Sequence, residues 1–496
     1  MRTFLAAAVL CWSGIAAADD PVVPAVPVVG APFAGWHEHL FVGDPAGTVR
    51  IIPTARIQVD YLATGSDASD LSTTLGVTSQ VALRRLRFEL GGSILTRWSF
   101  LAGVELGEAI DPDVAPLPAI SPSAEAPEAD LARRAPPDRT TFVPANVWIN
   151  FAAFPWLNFQ VGQAQTPITL ENQTRQDFLP LLERAMPIRS FVVPGEKELG
   201  LTVWGDIDDR LISYEVAVVT GDGKNRPAED LDPDVMARVR VQPFHFTDCV
   251  VRRAHFGVSV RHGQRDPERV TYDYPLVRTA QGYGLWDLGY RDSRGRFTHV
   301  IPSGAQNLAG LEMRVPFWRF DFRGEAYYVA NHTREAVDGF QATNTERLGT
   351  VSGMSWYAQL GLWAFGEPFL TEAPGYIRPR TVDFDKTPRT DTALELAFRL
   401  ARVRAEYDGA SRGGDYDPKT PRPTSVSDSL GSVWEIGAAV RAWQSSMANV
   451  GVAYNVYYVP QAGASLDNLA RVPETIAGDP EAELHHELTT RVAVAF

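Results

Sequence analysis

His486-Glu487-Leu488-Thr489-Thr490-Arg491-Val492-Ala493-Val494-Ala495-Phe496 closes the chain, and its residues alternate in character. Leu488, Val492, Val494 and Phe496 are apolar, whereas Glu487, Thr489 and Arg491 are polar. Successive side chains of a strand point to opposite faces, so this run reads as a β-strand with one apolar and one wet face.

At the other end, Met1-Arg2 supplies a positive start, Phe4 to Leu10 an apolar run and Ala16-Ala17-Ala18 a small-residue cleavage site, which predicts a removable signal peptide over residues 1–18. Leu10 before Cys11 does not fit a lipid-anchor signal, and without Cys11 the sequence keeps Cys249 alone, a small buried residue with no intramolecular disulfide. Coupled with a secretory signal, a final amphipathic strand closed by Phe resembles the ending of a bacterial outer-membrane β-barrel. That places the chain in the bacterial cell outer membrane.

The bulk composition agrees with this reading. The net charge is −14, and losing Arg2 makes the remainder more acidic, so no nucleic-acid partner is expected. After the signal there is no apolar run of about 18 residues, hence no transmembrane helix. Yet 45% of residues are hydrophobic and the 12 Trp, 15 Tyr and 24 Phe lie in short alternating stretches. A barrel needs that pattern, because every spanning backbone group must bond between strands.

The proline-rich stretch Pro21 to Val29 reads as extended chain, and residues 19–49 as a periplasmic linker. From Arg50 onward about sixteen alternating segments follow: 50–62, 80–91, 98–107, 142–152, 157–163, 197–205, 211–220, 235–243, 253–262, 306–315, 319–329, 354–365, 391–408, 432–442, 449–459 and 484–496. Short links such as Phe154-Pro155-Trp156 and Pro316-Phe317-Trp318 alternate with long polar loops, including 108–141, 164–196, 263–305 and 460–483. The fold class is therefore all-β, an antiparallel transmembrane barrel over 50–496, closed by pairing of the last strand with the strand near Arg50. One connection, 366–390, is long where a short turn is expected.

The two faces separate cleanly. Leu86, Phe88 and Leu90 oppose Arg85, Arg87 and Glu89; Ile57, Val59 and Tyr61 oppose Arg56, Gln58 and Asp60; Val239 and Val241 oppose Arg238 and Arg240; Leu394, Leu396, Phe398 and Leu400 oppose Glu395 and Arg399. An arginine on the lipid face near midplane would cost roughly 2–4 kcal/mol, so the arginines belong to the lumen. Arg56, Arg85, Arg87, Arg238, Arg240, Arg314 and Arg399 are the expected pore-lining residues, mixed with Asp60, Glu89, Glu105, Glu215, Glu312, Asp321, Glu325 and Glu435. Trp98, Trp156, Trp318 and Tyr328 suit interfacial girdles.

Several stretches, in order along most of the mature chain, resemble the phosphate-selective porin O and P family. They are Arg84-Arg85-Leu86-Arg87-Phe88-Glu89, Asn158 to Pro167, Leu181-Leu182-Glu183-Arg184-Ala185-Met186-Pro187, Leu199 to Gly205, Trp356-Tyr357-Ala358-Gln359 with Gly366-Glu367, and Ala393 to Ala397. The resemblance implies a sixteen-stranded homotrimeric porin for passive diffusion of small anions, phosphate or polyphosphate among them, with loop 164–196 folded into the lumen. On that loop Arg175, Arg184 and Arg189 become constriction charges. The chain departs from the family where a lysine is common, at Gln165, and at Ile168-Thr169, where an aromatic-glycine pair is usual. The partners implied are outer-membrane lipid, lipopolysaccharide and small anions.

Other motifs carry less. His37-Glu38-His39 lacks a third metal ligand nearby and reads as linker. Gly221-Asp222-Gly223-Lys224 lacks a phosphate-loop spacing, and Glu229 to Asp234 lacks the glycine-centred geometry of a calcium loop. No motif sets a serine in a strained elbow beside a histidine, so neither an enzyme nor a cofactor is expected. A structural or surface-interaction barrel with a plugged lumen is the rival, motivated by the long loops 108–141 and 460–483.

Overall fold

The computed structural model describes residues 34–37, 39–44, 48–66, 79–106, 143–192, 196–225, 232–265, 277–282, 284–286, 290–291, 297–337, 348–369, 375, 379, 392–413, 428–460 and 483–495. The expected signal peptide 1–18, the terminal Phe496 and loop 108–141 lie outside them.

Sixteen long strands form the wall. They are β1 (Val49–Ser66), β2 (Ser79–Ile94), β3 (Trp98–Glu105), β4 (Val143–Phe154), β5 (Leu157–Gln165), β6 (Lys197–Ile207), β7 (Ile212–Val219) and β8 (Asp234–Val241). The second half comprises β9 (His255–Arg265), β10 (Phe297–Phe317), β11 (Phe320–Val337), β12 (Leu348–Gly366), β13 (Ala393–Gly413), β14 (Asp428–Ser445), β15 (Ala448–Val459) and β16 (Glu483–Ala495). Each pairs antiparallel with its sequence neighbour, and β16 returns to β1 with Arg491 opposite Asp60 and Ala495 opposite Arg56. Closure satisfies the backbone donors and acceptors that an open sheet would leave at its edges.

All sixteen expected segments coincide with these strands. The largest differences lie at the long-loop ends, where β10 begins at Phe297 rather than 306 and β11 ends at Val337 rather than 329. A hydrogen-bonded ladder can continue past the lipid-facing side chains, so β13 extends through the outward-facing Arg402, Arg404, Glu406 and Asp408.

Alternation turns apolar side chains outward and charged ones inward. Leu311 and Ile436 are 62% and 57% exposed on the outer face, whereas Arg238 and Arg240 are each 1% exposed inside. The outer face holds Trp98, Trp156, Trp318 and Tyr328, all exposed. One β-bulge alters the detail: register shifts between Gln58 and Val59, so Arg84 turns inward beside Arg85.

Two connections differ from expectation. Residues 242–254, expected as a short link, contain a 3-10 turn over Val250–Arg253. There Cys249 is half-buried and is not a free thiol, contrary to the reading of an unbridged, buried residue; the other cysteine, Cys11, lies outside the described residues. The stretch expected as linker also carries structure. Strand Ala34–His37 pairs with His39–Gly43, which continues onto the start of β1, with Phe41 packed on Ile52. No proline falls between Pro32 and Pro45, so backbone N–H groups in that interval are free to join a ladder.

Candidate functional site

The interior is an array of arginines and carboxylates set by strand register. On β8, Arg238 lies opposite Glu215 of β7. Its guanidinium grips Glu312 of β10 with Nη2 to Oε1 at 2.7 Å and Nε to Oε2 at 2.9 Å, reaching across β9. The intervening β9 residue is Gly257, where a Cβ would sit 2.8 Å from Glu312 Cγ and 2.9 Å from Arg240 Cγ. A glycine is needed there for close approach rather than for its backbone angle. Arg240 completes the group with a 3.1 Å contact to Glu215.

Elsewhere the register brings like charges together and a carboxylate resolves them. Arg314 and Arg323 are direct cross-strand partners, and Asp321 binds both, at 2.8 Å and 2.7 Å. Arg87 faces Arg56 and is taken up by Glu105 at 2.5 Å. Arg399 reaches Glu435 at 2.5 Å, and Arg491 forks onto Asp60 at 2.7 and 2.6 Å. All these groups are buried, and such charges persist only when paired and hydrogen-bonded.

Into this wall folds the chain between β5 and β6, described over 166–192 and at 196, and it uses the arginines as anchors. Arg491 donates to Leu182 O at 2.6 Å and contacts Glu183 at 2.6 Å; Arg84 and Arg85 meet the same carboxylate at 3.3 and 3.2 Å. Arg441 donates to the carbonyls of Asp177 and Leu179, Arg399 to that of Glu183, and Arg56 lies 3.5 Å from Asp177. Two wall carboxylates return the favour: Glu325 accepts from the backbone N–H of Leu170 and Glu171, and Glu435 from that of Met186.

Packing supplies the apolar half of the anchor. Leu181 and Leu182 enter a hollow lined by Ala397, Ala439 and Ala453. A Cβ at Gly437 would lie 2.4 Å from Leu181 Cδ2, and one at Gly451 2.7 Å from Leu182 Cδ2. Small residues at five inward positions of β13 to β15 were a legible sign that something bulky fills that side.

The expected constriction arginines are held by the loop and wall. Arg175 pairs with Asp177 at 2.7 Å and lies over the Phe178 ring; Arg184 binds Glu196; Arg189 donates to the carbonyl of Arg184, to Arg278 O at 3.2 Å and to Tyr457 Oη at 3.0 Å. Of the wall arginines, Arg56, Arg87, Arg238, Arg240, Arg314 and Arg399 are buried on the inner face and Arg85 is half-buried there. Sequence reasoning did not single out Arg84 or Arg491 as site residues.

Two further segments enter the interior. The short hairpin of Val277–Arg278 and Gly284–Trp286 docks through Ala280 N to Tyr457 Oη at 2.9 Å and Gln281 N to Glu487 Oε2 at 3.2 Å. From the opposite rim, the long connection after β12 sends in Phe369, packed on Trp363. Its Gly375 carbonyl accepts from both Arg238 and Arg240, and its N–H donates to Thr174 Oγ1 at 2.9 Å. Segments from both rims therefore touch inside the barrel, which accounts for the length of that connection.

Loop docking depends on ionised carboxylates. Burial alone would raise the Glu183 carboxyl, but Arg85, Arg84 and Arg491 hold it well below its ordinary value. Burial opposes Glu196 similarly, and Arg184, with Lys197 and Arg85, brings it to about 2. Groups with depressed folded values contribute stability above the ordinary value of 4.5 and lose it as pH falls toward 2. Glu171, raised by burial, acts in the opposite sense. The loop is therefore expected to become cleavable by acid-stable protease between about pH 4 and 2 while the barrel stays folded. Unchanged resistance at pH 2 would show that these ion pairs do not hold it.

No protein family profile and no curated protein sequence matches the chain. Solved structures do. It is similar to OmpT, an outer membrane protein of Vibrio cholerae, at 8% identity and TM-score 0.45, covering 90% of this chain and 98% of that one. The outer membrane channel DcaP of Acinetobacter baumannii matches at 9% identity and TM-score 0.46, over 90% and 97% of the two chains. An anion-selective porin from Comamonas acidovorans matches at 9% and 0.44, over 90% and 99%.

Proposed function

We propose that the chain is an outer-membrane porin through which small anionic solutes diffuse passively, phosphate and polyphosphate among them, and that it works as a homotrimer in contact with outer-membrane lipid and lipopolysaccharide. The closed barrel with an apolar exterior and an ionised interior supports the membrane placement, short turns facing the periplasm and long loops the outside. Solutes pass where loop 166–196 narrows the lumen.

One observation carries the preference for anions. Both carboxylate oxygens of Asp60, Asp234, Asp321, Glu325 and Glu435 are taken up by donors. Among the described residues, single N–H groups of Arg56, Arg184, Arg189, Arg323, Arg399 and Arg441 have no hydrogen-bond acceptor, against a smaller number of unmet carboxylate oxygens, Glu105 Oε1 among them. Unmet donors in a low-dielectric wall leave a positive local potential, which draws anions and lets them leave again.

Reversal potentials in a salt gradient test this reading. Anion preference is expected in the wild type and a several-fold weaker one in Arg56→Gln, whose nearest carboxylate is a loose 3.5 Å away. Cation preference in the wild type would overturn it. The bond between Thr174 and Gly375, inside the barrel, favours a second reading as a plugged structural barrel. Absence of single-channel steps in planar bilayers would select that one.

A further inference from the structure

We infer that the outer face of β13 binds the phosphate of an anionic lipid headgroup through Arg402 and Arg404, framed by Trp356 and Trp434. The inference rests on the outer-membrane placement proposed above, not on conduction.

The alternation that carries Leu394, Leu396, Phe398 and Leu400 outward continues without a break to Arg402 and Arg404, while Ala401, Val403 and Ala405 between them are buried. Both arginines therefore face away from the lumen. A tilted strand climbs about 2.6 Å per residue, so Arg402 and Arg404 stand roughly 20 to 26 Å above Leu394, at the upper edge of an apolar band about 25 Å tall. Acyl chains give way to headgroups at that height. The arginines would be disfavoured lower down, and further out they would meet bulk water.

The surroundings prepare them for an oxyanion. Arg402 lies between Trp356 and Trp434 on the neighbouring strands, with its guanidinium carbon 4.6 Å from the Trp434 ring centre. The two indoles pack edge to face at 5.9 Å. Stacking fixes the guanidinium plane, which lowers the ordering cost of offering planar N–H groups to a phosphate. Among the described residues its hydrogen bond is a long one, Nη2 to Ser432 Oγ at 3.4 Å. Arg404 is exposed, opposite Met354 and Ser432. Glu406 and Asp408 follow at the next outward positions and bound the cationic pair above, so an anion is received at one level. Charge, height and an aromatic frame together point to a lipid phosphate rather than to a solute.

The test uses the full chain folded in detergent, mixed with lipid A carrying both phosphates or with the same lipid dephosphorylated, then gel-filtered and assayed for retained lipid by mass spectrometry. Wild type is expected to retain the phosphorylated lipid about tenfold better. R402Q/R404Q should lose that difference while keeping the heat-modifiable folded band, and R402K/R404K should keep part of it. Equal retention of the two lipids by wild type, or an undiminished difference in the glutamine variant, would overturn the site. So would full competition by millimolar inorganic phosphate, which would mark a free-anion site, or a change in oligomer size of the glutamine variant with lipid unchanged, which would mark a subunit interface. Conductance of the same samples is read separately: a silent protein that retains phosphorylated lipid sinks the channel and leaves the site.

Discussion

Arg491→Ala is expected to lower the stability of the barrel by about 3–5 kcal/mol, the range for removing one partner of a buried charge pair. Arg491 stands where the sheet closes: its guanidinium joins β16 to Asp60 of β1 and reaches inward to Leu182 O and Glu183 of the loop. Alanine would leave Asp60, 1% exposed, as a buried anion and would remove a donor from the loop at the same time. The measurement is the temperature at which the folded, fast-migrating band on a detergent gel converts to the unfolded one. A shift equivalent to less than about 1 kcal/mol would show that the seam does not depend on this pair. The double variant with Asp60→Leu and Arg491→Leu should recover much of the loss, because apolar replacement of a whole buried pair is often neutral.

Glu325→Leu should release the inner end of the loop. Four donors converge on this carboxylate: the N–H of Leu170 at 2.9 Å, that of Glu171 at 3.0 Å, Tyr357 Oη at 2.6 Å, and Tyr327 Oη. Each buried donor left unmet costs about 1–3 kcal/mol, although neighbouring losses are not additive. Even two dry donors make docking of residues 168–174 unfavourable by a few kcal/mol, a large part of what a loop can contribute. The expected result is new protease cleavage within 166–196 and a larger single-channel conductance, with Glu325→Gln showing a smaller change because one acceptor oxygen remains. A leucine variant with intact protection and wild-type conductance would mean that the Leu181-Leu182 anchor suffices.

The architecture was legible because the solvent on each face is so different. Period-2 alternation of Ile57, Val59 and Tyr61 against Arg56, Gln58 and Asp60 admits one register, since a slip of one residue would turn every charge to the apolar side. The alternation assigned the arginines a face. Their employment was not legible. Arg491 and Asp60 are 431 positions apart and meet because the sheet closes on itself. Arg84 escaped the alternation because a bulge lets two successive residues share a face. The hollow that receives Leu181 and Leu182 left a trace, in Ala397, Gly437, Ala439, Gly451 and Ala453, but small residues announce a space without naming its occupant.

By itself the sequence determined the number of staves, their order, their inward and outward faces and the rim on which long loops lie, all local properties of a two-residue period and of turn length. The tertiary structure alone decided which acceptor each arginine meets. Of the pore charges read from the pattern, Arg399 donates to a loop carbonyl and Arg238 and Arg240 donate to Gly375. The physical reason is that a guanidinium's charge is intrinsic to its residue, whereas its satisfaction depends on acceptors delivered by register, closure and in-folded segments far away in the chain.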